Sequence, residues 1–201
     1  MERGDVFVIS APSGSGKTTI CRLLVEKVEG LELSISYTTR PRKNGETEGK
    51  DYHFISDDKF DKMISLKEFL EYATVYGRRY GTSRDAVGKT VSSGTDVVLE
   101  IDVQGGRKVK EALPGAVLIG IFPPDWETLS RRLQERGRDS REEMAARLEA
   151  AGKEMTELLT YDFLVVNDSL EKAVTQVEWI VRAQRLRRER VRRTRERIPR
   201  R

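Results

Sequence analysis

The chain has 201 residues, 37% of them hydrophobic and 35% charged, and a length at which about 70% of the extended-chain surface is buried on folding. Its single cysteine, Cys21, excludes a disulfide framework and a multi-cysteine zinc site, and neither a membrane helix nor a signal peptide fits any apolar run, so a soluble cytoplasmic protein is expected. The net charge of +4 comes from residues 182–201, which hold eleven arginines and two glutamates; the remainder is mildly acidic, which weakens a whole-protein case for nucleic-acid binding.

In chain order, Val6–Ile9 reads as a buried strand, broken by the Gly/Ser-rich stretch 11–16. A helix over 18–28 puts Ile20, Leu23, Leu24 and Val28 on one face. Leu33–Tyr37 reads as a second strand and 38–51 as a polar loop. Seven of the fourteen aromatics then fall between 52 and 80 (Tyr52, Phe54, Phe60, Phe69, Tyr72, Tyr76 and Tyr80), in a stretch that reads as an inserted lobe. Ser83 caps a helix to about Ser92, stopped by Gly94. Val97–Asp102 is a buried strand ending in acids, followed by a short helix to Leu113 and a strand over Val117–Phe122. Residues 125–160 are helical around a break at Gly137, with capping-box spacing at Ser140 and Glu143. Phe163–Val166 is the last strand, and Asp168 with Glu171 has capping-box spacing for a final helix that aligns Val174, Val177, Ile180 and Val181. The alternation predicts an α/β fold with a parallel sheet covered on both faces.

The sharpest motif is Ala11-Pro12-Ser13-Gly14-Ser15-Gly16-Lys17-Thr18, a strand–loop–helix P-loop with alanine in place of the first glycine. Small residues let successive N–H groups curl around a triphosphate, and the following helix adds its N-terminal N–H groups and dipole. Lys17 can reach the β/γ-phosphates, and the Thr18 hydroxyl can ligate Mg²⁺. The motif implies ATP as phosphoryl donor and leaves the acceptor open.

The acceptor is suggested by Ser34-Ile35-Ser36-Tyr37-Thr38-Thr39-Arg40-Pro41-Arg42, Gly45-Glu46, Gly49-Lys50-Asp51-Tyr52, Phe69-Leu70-Glu71-Tyr72, Tyr80-Gly81-Thr82, Glu100-Ile101-Asp102-Val103-Gln104-Gly105, Arg136-Gly137 and Val166-Asn167-Asp168. With these motifs, in order from about residue 4 to about 186, the chain resembles the guanylate kinase family. The resemblance implies a P-loop core (4–36, 91–124 and 156–186), a GMP-binding lobe (37–90) and a helical lid (125–155), and transfer of phosphate from ATP to GMP, and to dGMP. It also implies a GMP site of Ser36, Arg40, Tyr52, Glu71, Tyr80, Gly81 and Thr82, with Glu100 and Asp102 beside it.

Residue chemistry agrees with this reading. Arg40 and Arg42 can fork onto phosphate oxygens, and Tyr52 and Tyr80 can donate hydroxyls. The basic group after Arg40 is shifted by one from the family pattern, so Arg42 or Lys43 fills the second phosphate position. Guanine presents adjacent N1–H and N2–H₂ donors that one carboxylate accepts together, and Glu71 stands in an apolar, aromatic stretch. Ser36 or Thr82 could donate to guanine O6. Glu100 stands where the family often has aspartate, one methylene longer.

Among the arginines of 125–155, Arg132, Arg136 and Arg147 match the family's lid positions, where guanidinium groups stabilise charge on a transferring phosphoryl group. Asn167 matches the position that helps hold adenine. His53, Cys21, Trp126 and Trp179 read as packing or surface residues, and the arginine-rich tail over 187–201 as a segment with too little apolar surface to pack. That tail could attract nucleic acid. Two other functions compete with the main reading: a related P-loop kinase of small molecules, and a non-catalytic guanylate-kinase-like module that binds proteins.

Overall fold

Every residue of Val6–Ser10 is buried, as a strand covered on both faces must be. This is β1, the centre of a five-stranded parallel sheet in a computed structural model that describes residues 3–75, 77–136 and 141–187. The sheet runs β2 (Leu31–Leu33), β7 (Asp96–Glu100), β1, β8 (Val117–Phe122), β9 (Phe163–Val166). Alternation along β1 divides the core. Phe7 and Ile9 face α1 (Lys17–Lys27) and α7 (Leu170–Arg185) through Ile20, Leu24, Val174, Val177 and Val181. Val6 and Val8 face α3 (Arg84–Ser92) and α4 (Val103–Ala112) through Val87, Val91 and Val109.

Between β2 and α3 the chain builds a second sheet, β4 (His53–Phe54), β3 (Tyr37–Thr38), β6 (Arg78–Ser83), β5 (Phe69–Val75), with α2 (Asp57–Ser65) packed on it. Phe60, Met63 and Phe69 form its small core with Tyr37. Gly81 is required there, because a Cβ on it would lie 2.7 Å from the Phe69 ring. Arg79 ties α2 to the sheet: its guanidinium bonds the carboxylates of Asp57 and Asp61 at 2.6 and 2.5 Å and lies 4.8 Å from the Phe60 ring centre. After β8 come α5 (Trp126–Arg136) and α6 (Arg141–Leu158), which share a core of Leu129, Leu133 and Ala151.

Three local expectations are revised. Leu33–Tyr37 is not one strand: Ser34 N–H donates to Val98 O in the main sheet at 2.9 Å, whereas Ser36 O accepts His53 N–H in the lobe at 2.9 Å. The chain changes sheets between them. On α1 the buried face is Ile20, Cys21 and Leu24, with Leu23 38% exposed; burial pushes the Cys21 thiol well above its ordinary pKa. No capping box forms at Asp168, because the cap is Ser169 one residue later and the Asp168 carboxylate accepts only the Ser169 N–H and Lys172. The Ser83 cap forms, accepting Ala86 N–H at 3.2 Å, and α3 ends at Ser92. Trp126 and Trp179 are 52% and 64% exposed, surface residues of their helices. Tyr76, the Gly137 break, the Ser140 cap and residues 188–201 of the tail lie outside the described residues.

The end of α7 is fixed by Arg185, whose Nε donates at 2.7 Å to the fully buried carboxylate of Asp96 and whose Nη2 reaches the carbonyls of Glu29 and Gly30. Taking one partner from a buried ion pair is more damaging than the pair is stabilising. Arg185→Ala should therefore lower stability by about 2–3 kcal/mol, measured as a reduced urea midpoint with unchanged slope.

Candidate active site

Parallel pairing sets the site. Ile9 of β1 pairs with Glu100 of β7, so the loop leaving β1 and the acids leaving β7 emerge side by side at the carboxyl ends of the strands. The loop over 11–16 curls with Gly14 at φ 88° and Gly16 at φ 87°, left-handed values that glycine adopts without strain. Gly16 is the cap of α1 and no side chain satisfies the first N–H groups of that helix, which leaves them as donors for an anion. Lys17 Nζ donates to Ile101 O at 2.9 Å, and Thr18 Oγ1 donates to Glu100 Oε1 at 2.5 Å. Asp102 caps α4 through Gly105 N–H at 2.9 Å.

Two residues brace the loop from outside. Asn167, just after β9, donates to Ser15 O at 2.8 Å and is 4% exposed; a Cβ on Gly16 would lie 2.6 Å from its amide nitrogen. Leu133 and Leu129 of α5 lie against Gly14. Behind the loop, Tyr161 Oη donates to Ser10 Oγ at 2.9 Å, and its hydroxyl fills the space a Cβ on Gly106 would take, 2.0 Å away. Burial pushes that phenol up to about 12. The Ser15 hydroxyl is buried and has no hydrogen-bond partner, alone in this among the described residues.

The lobe presents its own polar set. Glu71 on β5 and Thr82 on β6 are 5% and 0% exposed, and Thr82 Oγ1 donates to Glu71 Oε1 at 2.6 Å. Desolvation, with Asp102 nearby, raises Glu71 to about 7, although the Thr82 hydrogen bond opposes the shift. Helix α4 approaches this carboxylate through Gly105, where a Cβ would meet Glu71 Oε2 at 2.7 Å and Asp102 Oδ1 at 3.1 Å. The Gly105-Gly106 doublet, unfavourable in a helix, thus makes room for Glu71 on one side and Tyr161 on the other.

Arg40, Tyr52 and Tyr80 cluster nearby: the Arg40 guanidinium lies 5.3 Å from the Tyr52 ring centre, and the tyrosine rings are 5.8 Å apart. Burial pushes the Tyr52 phenol up to about 12. Arg40 is held by both oxygens of Glu46, at 3.1 and 2.6 Å, a bidentate pairing of the kind a phosphate could take over. Arg42 and Lys43 are both exposed on the loop, and Ser36 is half-buried where the chain enters the lobe. Arg132 and Arg147 are half-buried on α5 and α6, whereas the side chain of Arg136 lies outside the described residues.

The P-loop, Glu100 and Asp102 therefore share one cavity of about 230 Å³, and Glu71, Thr82, Arg40, Tyr52 and Tyr80 gather in the lobe beside it. Sequence reasoning missed Tyr161, the loop-bracing contact of Asn167, the clamp by Glu46, and Glu154 of α6, which also lines the cavity. The glycine doublet was the available sign of close approach at Tyr161. Nothing marked Glu154 in a helix rich in glutamate.

Comparisons with known proteins bear on this geometry. A family model described as guanylate kinase matches residues 3–184. The guanylate kinase of Neisseria gonorrhoeae is 48% identical over 188 residues, covering 94% of this chain and 92% of its own. That of Alkalilimnicola ehrlichii is 44% identical over 187 residues, covering 93% and 92%. The solved structure of guanylate kinase from Anaplasma phagocytophilum is similar with a TM-score of 0.80 at 33% identity, over 94% of this chain and 90% of that one.

The raised Glu71 has a signed consequence for stability. The native state keeps the Glu71 proton up to about pH 7, whereas the unfolded chain releases it near 4.5. Stability therefore falls as pH rises from 4.5 to 7 and levels off above. Glu71→Gln removes that fall, so the variant should be the more stable form at pH 8, by an amount on the order of 3 kcal/mol, and lose this advantage at pH 5. Urea titrations at the two pH values check it.

Proposed function

This chain belongs to the guanylate kinase family and catalyses ATP-dependent phosphorylation of GMP to GDP, and we propose the following division of labour among its residues. The core segments 4–36, 91–124 and 156–186 hold ATP, the lobe 37–90 holds GMP, and 125–155 forms a lid that closes over both. In the ATP site the N–H groups of Ala11 to Thr18 cradle the phosphates, Lys17 moves from the Ile101 carbonyl onto the β/γ oxygens, and Asn167 keeps the loop in shape while flanking the adenine.

In the GMP site Glu71 accepts guanine N1–H and N2–H₂ together, and Ser36 or Thr82 donates to O6. Adenine has no N1–H to offer, so the carboxylate would be left desolvated and half-satisfied against AMP. The 2′-hydroxyl plays no part in this readout, so dGMP is a substrate too. Arg40, with Arg42 or Lys43, and the hydroxyls of Tyr52 and Tyr80 bind the GMP phosphate, Arg40 exchanging Glu46 for it. Gly81 keeps the lobe sheet tight beneath the base, and Glu100 and Asp102 line the side where the two phosphates meet. The observation that carries this reading is the buried Glu71–Thr82 pair close to Asp102, which lines the P-loop cavity.

Oxygen donors suit a hard cation, and the Thr18 hydroxyl beside the Glu100 carboxylate fits Mg²⁺ that arrives on nucleotide phosphates. Bound there, Mg²⁺ would neutralise charge on the β- and γ-phosphates. The protein's own contribution is alignment of the GMP phosphate oxygen with the γ-phosphorus, exclusion of water, and positive charge from Lys17, Arg132, Arg136 and Arg147 where charge spreads in transfer. No covalent intermediate is required. We assign the reaction to the cytoplasm. Among the described residues no helix is long and apolar enough to cross a membrane. The arginine-rich tail plays no part in the chemistry.

A coupled assay of ADP formation with GMP, AMP, CMP and UMP tests the base readout: turnover should be confined to GMP. Lys17→Ala should lower kcat by on the order of 10²–10³ in a folded protein. Wild-type-like turnover would remove the P-loop assignment. Glu71→Gln should raise KM for GMP by roughly 10- to 100-fold while changing KM for ATP little, the loss of a charged hydrogen bond of about 1.5–3 kcal/mol. Because Glu71 binds guanine in its ionised form, KM for GMP in the wild type should also rise as pH falls below about 7. The pH profile of the glutamine variant should lack that limb.

A further inference from the structure

Behind the P-loop, a serine and a tyrosine hydroxyl join parts of the site that the strands alone leave separate. Ser10 ends β1, just before the loop, and is fully buried. Its Oγ donates to the main-chain carbonyl of Asp102 at 3.2 Å, the carbonyl that also accepts Gly106 N–H at 2.9 Å as α4 begins. Having given its one proton there, the Ser10 hydroxyl accepts from Tyr161, whose Oη stands 2.9 Å away. The chain of hydroxyls therefore runs one way, from Tyr161 through Ser10 to the start of α4. Tyr161 is itself fixed. Its N–H donates to Leu158 O at 3.0 Å, and Leu158 packs over Gly120 of β8. The next residue, Asp162, accepts from Leu118 N–H of β8 at 2.9 Å and from Lys110 Nζ of α4 at 2.8 Å.

We propose that Tyr161 and Ser10 are positioning residues that set the distance between the phosphate-binding loop and the wall of the guanine site. The inference rests on the assignment of ATP to the loop and of GMP to the Glu71 side. The loop begins at Ala11, directly after Ser10. The wall begins at Asp102, whose carboxylate caps α4 at Gly105, and Gly105 is where α4 meets Glu71: a Cβ there would lie 2.7 Å from Glu71 Oε2. The chain uses the Asp102 carbonyl, not its carboxylate, so it spans the donor and acceptor halves without taking part in either set of nucleotide contacts. Lys17 and the Glu71–Thr82 pair keep their own partners when it is cut. Cutting it leaves both binding sites whole and shifts one against the other, which misaligns the attacking oxygen and the γ-phosphorus.

The test is steady-state kinetics of Tyr161→Phe, Ser10→Ala and the double variant, with folding verified by thermal melting. Tyr161→Phe keeps the ring and removes only the hydroxyl, and it decides the matter where Ser10→Ala perturbs the fold. Each variant should lower kcat by about tenfold, part of the ~10²-fold that a displacement of ~1 Å costs, with KM for ATP and for GMP within about twofold of wild type. The double variant should lose no more than either single one, because all three cut the same chain. A normal kcat in Tyr161→Phe, whatever its melting temperature, would make the hydroxyls a support of the fold alone and would overturn the proposal. A rise in either KM with kcat unchanged would overturn it too. Lys17→Ala and Glu71→Gln, assayed alongside, separate the two levels. Turnover of GMP indifferent to both sinks the assignment of the two halves. Turnover that needs them but not the Tyr161 hydroxyl sinks this inference alone.

Discussion

Carboxylates crowd the ammonium of Lys17, and that crowding governs the rest of the site. Glu100, Asp102 and Glu154 line the cavity that Lys17 enters, and Glu71 lies close by, near the cap of α4. A site for two anionic nucleotides would be expected to exclude acids, since each one repels phosphate. The structure instead gives three of them a separate restraint. Glu100 is held by the Thr18 hydroxyl, Asp102 by the Gly105 N–H and Glu71 by Thr82. In the proposed reading the Thr18–Glu100 and Thr82–Glu71 bonds are exchanged for contacts with a nucleotide or its cation. Arg40 and Glu46 repeat the scheme in the lobe. Among the described residues every buried side-chain polar atom but the Ser15 hydroxyl has a hydrogen-bond partner within the protein.

Backbone packing supplies the precision this needs. The β1–β7 register fixes Glu100 beside the loop, and two consecutive glycines allow α4 to approach both Glu71 and Tyr161. Any side chain at 105 or 106 would push the helix off the carboxylate or off the phenol. The lobe depends in the same way on Gly81 under the Phe69 ring.

Most of the framework was legible in the residues because it rests on local rules. The all-buried runs at 6–9 and 117–122, the Ser83 cap and the aromatic lobe each carry a periodicity or a turn signal. The P-loop announced itself by glycine spacing and a following lysine. Glu71 stood out as an acid in apolar company. What was not legible depends on the third dimension. Ser34 and Ser36 are two residues apart and belong to different sheets, which no pattern of apolar residues reveals. Asp168 has the spacing of a cap, but the chain turns one residue too late for its carboxylate to reach the helix. Glu154 is one glutamate among several on α6, and nothing in its spacing marks it as lining the P-loop cavity.

Glu71 and Glu154 are both pushed up to about 7, chiefly by burial. In the proposed reading guanine brings N–H donors, so GMP favours Glu71 in its charged form and draws the proton off. Near neutral pH each carboxylate is poised so that a modest interaction decides its state. The desolvation that makes Glu71 costly in the empty protein is what makes its pairing with guanine selective, because a base without adjacent donors leaves the charge buried and unmatched.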